Sequence, residues 1–292
     1  MSTLGAGQMI NRRQLFRFIR RMYYWARTDP VDEDLRGWSW DRPPVKPRAY
    51  LGLGVYEVAG KYCPTRRDVW LRRKAGVRPK PSKTMLVGRL LHEAIDKATK
   101  SVLRGVVHGK KAWEIYEESQ SFDPVLKGVD DELRQLYINI YKSTLITILG
   151  ELEYEALTTN SCLQIPLFTE YRVDGSLIGL SSNLSIDALA NGVILDYKFG
   201  EARDFHKLGI AGYALALESE YEIPFDYGLI IYVSNRGERI RVSARPVYVS
   251  NSLRRWFLEE RDNIIEILLS DEEPPVDNRC KESCPFYGVC HP

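Results

Sequence analysis

Two aspartates and a lysine crowd the stretch Ser185 to Gly200, SIDALANGVILDYKFG. Asn-Gly between apolar runs marks a two-residue hairpin, because a type I′ turn needs positive φ at both central residues. A turn at Asn191-Gly192 pairs Ala190 with Val193, Leu189 with Ile194, Ala188 with Leu195, and Asp187 with Asp196. Opposed Cβ atoms then lie about 4.5–5.5 Å apart, and like charges so placed repel. A divalent cation relieves that repulsion, and hard ions of the magnesium or manganese kind favour carboxylate oxygens. Lys198, two residues past Asp196, shares its face with small Ser185 opposite. It is suited to orient an attacking water or to stabilise charge developing on a phosphate. The alternative is a surface hairpin in which Lys198 merely neutralises Asp196. Against it, Val193, Ile194 and Leu195 form a run expected of a strand buried on both faces.

Two histidines fit such a site. His92 lies in VGRLLHEAIDKA, where it is a ligand for a manganese-like ion or a structural helix residue. Gly88, one turn earlier, suggests close approach of another backbone. His206 and Tyr213, seven residues apart in a helix over about 202–219, share a face that either contacts DNA or packs.

The elements that position these groups follow from periodicity. A basic, aromatic helix over 11–27 precedes a polar, Pro-rich linker over 28–47. PTRRDVWLRRK reads as helix, with Pro64 in its first turn. Ser82 caps a helix to about Leu103 along the stripe Leu86, Leu90, Leu91, Ala94 and Ile95. A helix over 129–157 is followed by strands over 164–200, with turn signals at Asp174-Gly175 and Asn191-Gly192. A second hairpin turns at Asn235-Arg236-Gly237. The last helix, over 250–269, precedes a tail of loop. The order predicts an α/β (α+β) fold, a small mixed sheet flanked by helices.

Three of the five cysteines fall in the last 13 residues, as Cys280, Cys284 and Cys290. Cys63 is a fourth ligand for an iron–sulfur cluster or a zinc ion, with Cys162 left over. Zinc sites more often pair C-x2-C knuckles, so the split of one and three favours a cluster. Closing this ring staples the tail to the body.

Arg66, Arg67, Arg72 and Arg73 follow Cys63 and are candidates for DNA contact. Arg12, Arg13, Arg17, Arg20 and Arg21 interleave with Phe16, Phe18, Tyr23, Tyr24 and Trp25, a mixture that suits a single strand or, alternatively, a solvated helix face. With 41 basic against 39 acidic residues in 292, net charge is only +2, so any nucleic-acid contact is local. No secretory signal or membrane span is legible, and a soluble, cytoplasmic location is expected. So few, unevenly placed cysteines do not make a disulfide scaffold.

The ordered set GRLLHEAI, SIDAL, ILDYKFG and HKLGIAGYALALE resembles the RecB-type branch of the PD-(D/E)xK nuclease superfamily. With one upstream and three C-terminal cysteines, it is most similar to the iron–sulfur nucleases of the CRISPR-associated Cas-four family, in its archaeal Csa-one branch. The resemblance covers about residues 50–292 as a restriction-endonuclease-like nuclease domain and leaves 1–49 as an extension. It implies that His92, Asp187 and Asp196, with the backbone carbonyl of Tyr197, hold magnesium or manganese. It makes Lys198 catalytic, and implies a 4Fe-4S cluster on Cys63, Cys280, Cys284 and Cys290. The implied function is exonuclease-type trimming of DNA before spacer integration, alongside the Cas-one and Cas-two integrase. The family's glutamine, four residues before the tyrosine of the last motif, is Gly209 here. That departure supports an alternative, a DNA-binding scaffold with weakened cleavage. DNA repair by a RecB-like nuclease and electron transfer are further alternatives, the latter leaving the acidic hairpin unexplained.

Overall fold

The computed structural model describes residues 2–3, 9–79, 82–124, 126, 128–159, 167–236 and 239–292. Its strands are β1 (Ser2–Thr3), β2 (Leu167–Val173), β3 (Leu184–Ala190), β4 (Val193–Phe199), β5 (Tyr227–Arg236) and β6 (Arg239–Tyr248). They form one sheet in the order β1-β6-β5-β4-β3-β2, antiparallel except for the parallel pair β4–β5. The helices are α1 (Arg12–Thr28), α2 (Val55–Ala59), α3 (Arg67–Arg73), α4 (Lys83–Val107), α5 (Ala112–Gln120), α6 (Asp131–Thr159), α7 (Lys207–Tyr221), α8 (Asn251–Leu269) and α9 (Tyr287–Cys290).

Each sheet face carries its own apolar core. On one, α1, α4, α5 and α6 pack on Val193, Leu195 and Tyr197; on the other, α2, α3, α7 and α8 pack on Ile194, Ile230 and Tyr232. The apolar run of β4 therefore alternates between two cores, as expected of a doubly covered strand. The α7 helix that follows β4 makes the crossover to parallel β5.

Several expectations are corrected. The segment 28–47 is built into the molecule: Leu35 and Val45 are buried, and Arg36 shares Glu218 with Arg254 of α8. Helix α3 begins at Arg67, after Pro64, because Arg66 adopts a left-handed φ of 60°. The β5–β6 ladder runs through Asn235 and on to Arg236↔Arg239, so Asn235 and Arg236 are strand residues rather than turn residues, and Gly237 lies outside the described residues. A Cβ at Gly88 would meet nothing within 4 Å, so no backbone approaches there. The leftover Cys162 lies outside the described residues. No helix among the described residues is long and apolar enough to cross a membrane.

Candidate active site

The Asn191-Gly192 turn has positive φ at both residues, 50° and 74°, and sets the expected register. Ala190↔Val193, Leu189↔Ile194 and Ala188↔Leu195 all pair, but the ladder stops there. Asp187 and Asp196 do not form the next pair, and Ser185 faces Arg172 of β2 instead of Lys198. The strands part at the acidic residues. The Asp187 carboxylate takes over the ladder's role, Oδ2 accepting from the Tyr197 N–H at 2.7 Å.

The β2–β3 ladder breaks at the same place. Thr169↔Ala188 and Tyr171↔Ile186 pair, while Glu170 and Asp187 between them do not. Glu170 holds a left-handed φ of 50° and accepts a 2.7 Å hydrogen bond from Ser185 Oγ. A non-glycine residue in that region is strained, which the surrounding structure must sustain. Sequence reasoning missed Glu170 because Asp174-Gly175 looked like a tight turn. Such a turn would pair Val173 with Ser176, but the structure pairs Val173 with Leu184.

The expected quartet assembles in the opening. His92 of α4 places Nδ1 3.2 Å from Asp187 Oδ1. Lys198 Nζ donates to Asp196 Oδ1 at 2.6 Å. Burial opposes ionisation of Asp187, but His92 and Lys198 hold its carboxyl below the usual range. Burial raises the Asp196 carboxyl, opposed by Lys198 and reinforced by Asp187, to about 6. Lys198, its side chain 33% exposed, is kept firmly protonated by the two aspartates. His92 is likewise raised: burial lowers it, and Asp187 more than compensates.

Among the described residues, no group of three or more His, Cys, Asp or Glu side chains is already placed to hold a metal ion. The basic groups lean on the carboxylates instead. One atom is left over: Asp196 Oδ2 is buried without a hydrogen-bond partner. An orphaned carboxylate oxygen in a dry site is costly unless paired, so the donor set fits a hard cation. Burial, with added repulsion from Asp187, Asp196 and Glu170, raises the buried Tyr213 hydroxyl well above its ordinary range, so Tyr213 of α7 faces the same negative field.

His206 immediately precedes α7, which begins at Lys207. It ends the short turn Asp204–His206 and links Tyr62 (Nε2 to the hydroxyl, 3.0 Å) to Tyr232 (Nδ1 to the hydroxyl, 3.2 Å). Burial, then Lys198 and Arg203, lower its pKa to about 4, so the ring is neutral. Tyr62, next to Cys63, also lies within electrostatic reach of Lys198, and neither it nor Tyr232 was foreseen.

The four cysteines sit within electrostatic reach of one another. Burial raises the Cys280 thiol, and Cys63, Cys284 and Cys290 add to it. Burial also raises Cys284, with Cys63, Cys290 and Asp68 contributing. Arg66 Nε, Arg67 Nε, Trp70 Nε1 and Arg72 Nε, on or next to the helix following Cys63, are buried without partners. Unsatisfied donors beside four thiols fit an anionic thiolate cluster.

The arginines expected to touch DNA have partners within the protein. Arg66 donates to Val58 O and Gly60 O, and Arg73 is held by Glu57 and Gly52 O. Arg67 reaches Pro274 O at 2.6 Å and pairs with Glu273, while Arg72 lies between Tyr56 and Phe286. These side chains clamp the cysteine-bearing tail onto α3. Exposed charge in the sequence concealed that the tail returns.

The family model of CRISPR-associated exonuclease Csa1 matches residues 9–292. The CRISPR-associated exonuclease Csa1 of Thermoproteus tenax is 31% identical over 289 residues, covering 97% of this chain and 99% of that protein. The protein of the same name from Saccharolobus solfataricus is 34% identical over 283 residues, covering 90% and 93%. The crystal structure of SSO0001 superposes with a TM-score of 0.28 at 14% identity, over 55% of this chain and 77% of that one, which carries no argument. By sequence over nearly its whole length, the chain belongs to the CRISPR-associated exonuclease Csa1 family.

Proposed function

We propose that this chain is a divalent-metal-dependent DNA exonuclease that trims fragments before their integration as CRISPR spacers, working with the Cas-one and Cas-two integrase. The observation that carries the reading is the buried, unpartnered Asp196 Oδ2 beside Asp187, His92 and Lys198. His92, Asp187 and Asp196, with the Tyr197 carbonyl, would hold manganese or magnesium; such an ion polarises the phosphate and acidifies water. Asp187 Oδ2, fixed by the Tyr197 N–H, holds the two strand ends apart and keeps the opening. Beside Asp187 and Asp196, Lys198 is protonated in the metal-free site. Its role is to orient water and neutralise charge on the scissile phosphate in a site of low dielectric. A 4Fe-4S cluster on Cys63, Cys280, Cys284 and Cys290 would hold the tail, with Arg67 and Arg72 as its protein clamps.

The open space beside Gly209 favours one alternative, a DNA-binding scaffold with weak cleavage. Anaerobically purified protein, assayed for iron and sulfide and given end-labelled DNA with and without manganese, separates the two. Manganese-dependent release of nucleotides, lost in Lys198→Ala, supports the enzyme. Binding of DNA with no cleavage under any divalent ion supports the scaffold.

A further inference from the structure

The N-terminal helix belongs to no part of the catalytic site, yet it is built with care. Asn11 and Gln14 close a reciprocal cap, each side chain bonding the other's N–H at 2.9 Å. Leu15, Phe18 and Met22 anchor one face of α1 in the core. The opposite face carries Arg13, Phe16, Arg17 and Arg20, spaced to project together. This face and the second half of α6 enclose a groove of about 1030 Å³.

Four arginines line the groove against one acidic residue, Glu151. Arg13, Arg17 and Arg20 are exposed and, among the described residues, form no ion pair. The apolar surface is open too: Phe16 is 46%, Ile146 46% and Tyr154 66% exposed. A purely solvated helix face has no need to set these guanidinium groups opposite exposed rings across a concave surface. Arg13 and Arg20 lie about 10 Å apart along the helix axis, with Arg17 between them.

We infer that the α1–α6 groove is a second nucleic-acid site, which holds a single DNA strand away from the catalytic opening. Arg13, Arg17 and Arg20 contact phosphates and Phe16 stacks on a base, the combination that binds single strands without regard to sequence. The inference rests on DNA being the substrate, but its test does not depend on cleavage. An acidic protein segment is the competing occupant.

The test uses the full-length protein and a labelled oligothymidylate of about 20 nucleotides, longer than a typical single-strand site. Affinity is read by fluorescence anisotropy in EDTA, so that failure of the nuclease reading leaves this result unaffected. Each phosphate contact adds about 0.7 to the slope of log affinity against log salt for single strands. The triple change Arg13→Gln, Arg17→Gln and Arg20→Gln is expected to reduce that slope by about 2. This equals roughly a 20-fold smaller change in affinity between about 50 and 200 mM salt. Phe16→Ala is expected to weaken binding about fivefold or more with the slope intact. Melting temperatures within error of the parent show that the variants fold. A salt slope unchanged in the triple variant, or an affinity unchanged in Phe16→Ala, overturns the assignment.

Discussion

Gly209 and Gly212 lie three residues apart in the interior of α7, both buried, and the structure assigns them opposite responses to the same change. A Cβ added at Gly209 meets nothing within 4 Å. At Gly212 it would lie 2.5 Å from Phe257 Cε2 and 3.1 Å from Val55 Cγ1. Replacing glycine with alanine inside a helix gains about 0.5–1 kcal/mol in either place, from backbone entropy. That gain is common to both sites and cancels in the comparison. What remains is the overpacking penalty at Gly212, about 1–3 kcal/mol. Gly209→Ala should therefore melt above the parent and Gly212→Ala below Gly209→Ala, the gap being roughly 2–12 °C at about 2–4 °C per kcal/mol. Thermal unfolding followed by circular dichroism, with cluster content matched, measures it. Equal losses in the two variants would refute the open space beside Gly209. Gly209 and Tyr213 are one turn apart on the same face, so a glutamine at 209 enters the space next to the acidic opening. Gly209→Gln should melt no lower than the parent and cleave faster with manganese. An unchanged rate would mean that the space has no bearing on catalysis.

Three further outcomes follow from particular contacts. The Asp196 carboxyl, at 3.8 when unfolded, rises to about 6 in the fold, so the native state keeps a proton that the unfolded chain releases first. The stability this group gives is present below pH 3.8 and lost as pH rises through about 6. The metal-free protein should lose urea resistance between these limits, Asp196→Asn should flatten that dependence, and manganese should restore the loss at neutral pH. Arg254 is fully buried and holds both Glu218 oxygens, at 2.7 and 2.8 Å. Arg254→Met removes two charge-assisted hydrogen bonds from Glu218, which keeps Arg36 and the N–H groups of Gly37 and Phe225, and should cost about 1.5–3 kcal/mol in urea unfolding. Cys284→Ser should lower iron and sulfide together and expose the chain beyond Leu269 to limited proteolysis, because Arg67, Arg72 and Lys74 are then left to hold a tail that has lost its staple.

The residues of the candidate site were legible because short-range signals fixed them. Asn191-Gly192 set the β3–β4 register to the residue, and Ser82 does cap α4, its Oγ accepting from the Met85 N–H at 3.2 Å. Local patterning could not show where the ladders end. The separation of Asp187 from Asp196, and the strained Glu170 beside them, depend on two strands breaking at one point. The parallel pairing of β4 with β5 is likewise non-local, since α7 intervenes. The basic run after Cys63 reads as a DNA patch in one dimension. In three, Arg66, Arg67 and Arg73 are consumed by carbonyls and carboxylates, several from over 190 residues away. Arg36 and Leu35 in the Pro-rich segment mislead for the same reason: their partners, on α7 and α8, come much later in the chain.

The proposed cleavage depends on a cation bound through the buried, unpartnered Asp196 Oδ2. Its most direct test is manganese-dependent release of nucleotides from end-labelled single-stranded DNA by the parent and by Asp196→Asn, with DNA affinity and melting temperature measured alongside. The account predicts cleavage by the parent that stops in EDTA, and a loss of about a hundredfold or more in Asp196→Asn, with DNA affinity retained. Cleavage by Asp196→Asn at the parental rate, or parental cleavage indifferent to divalent ions, would contradict it.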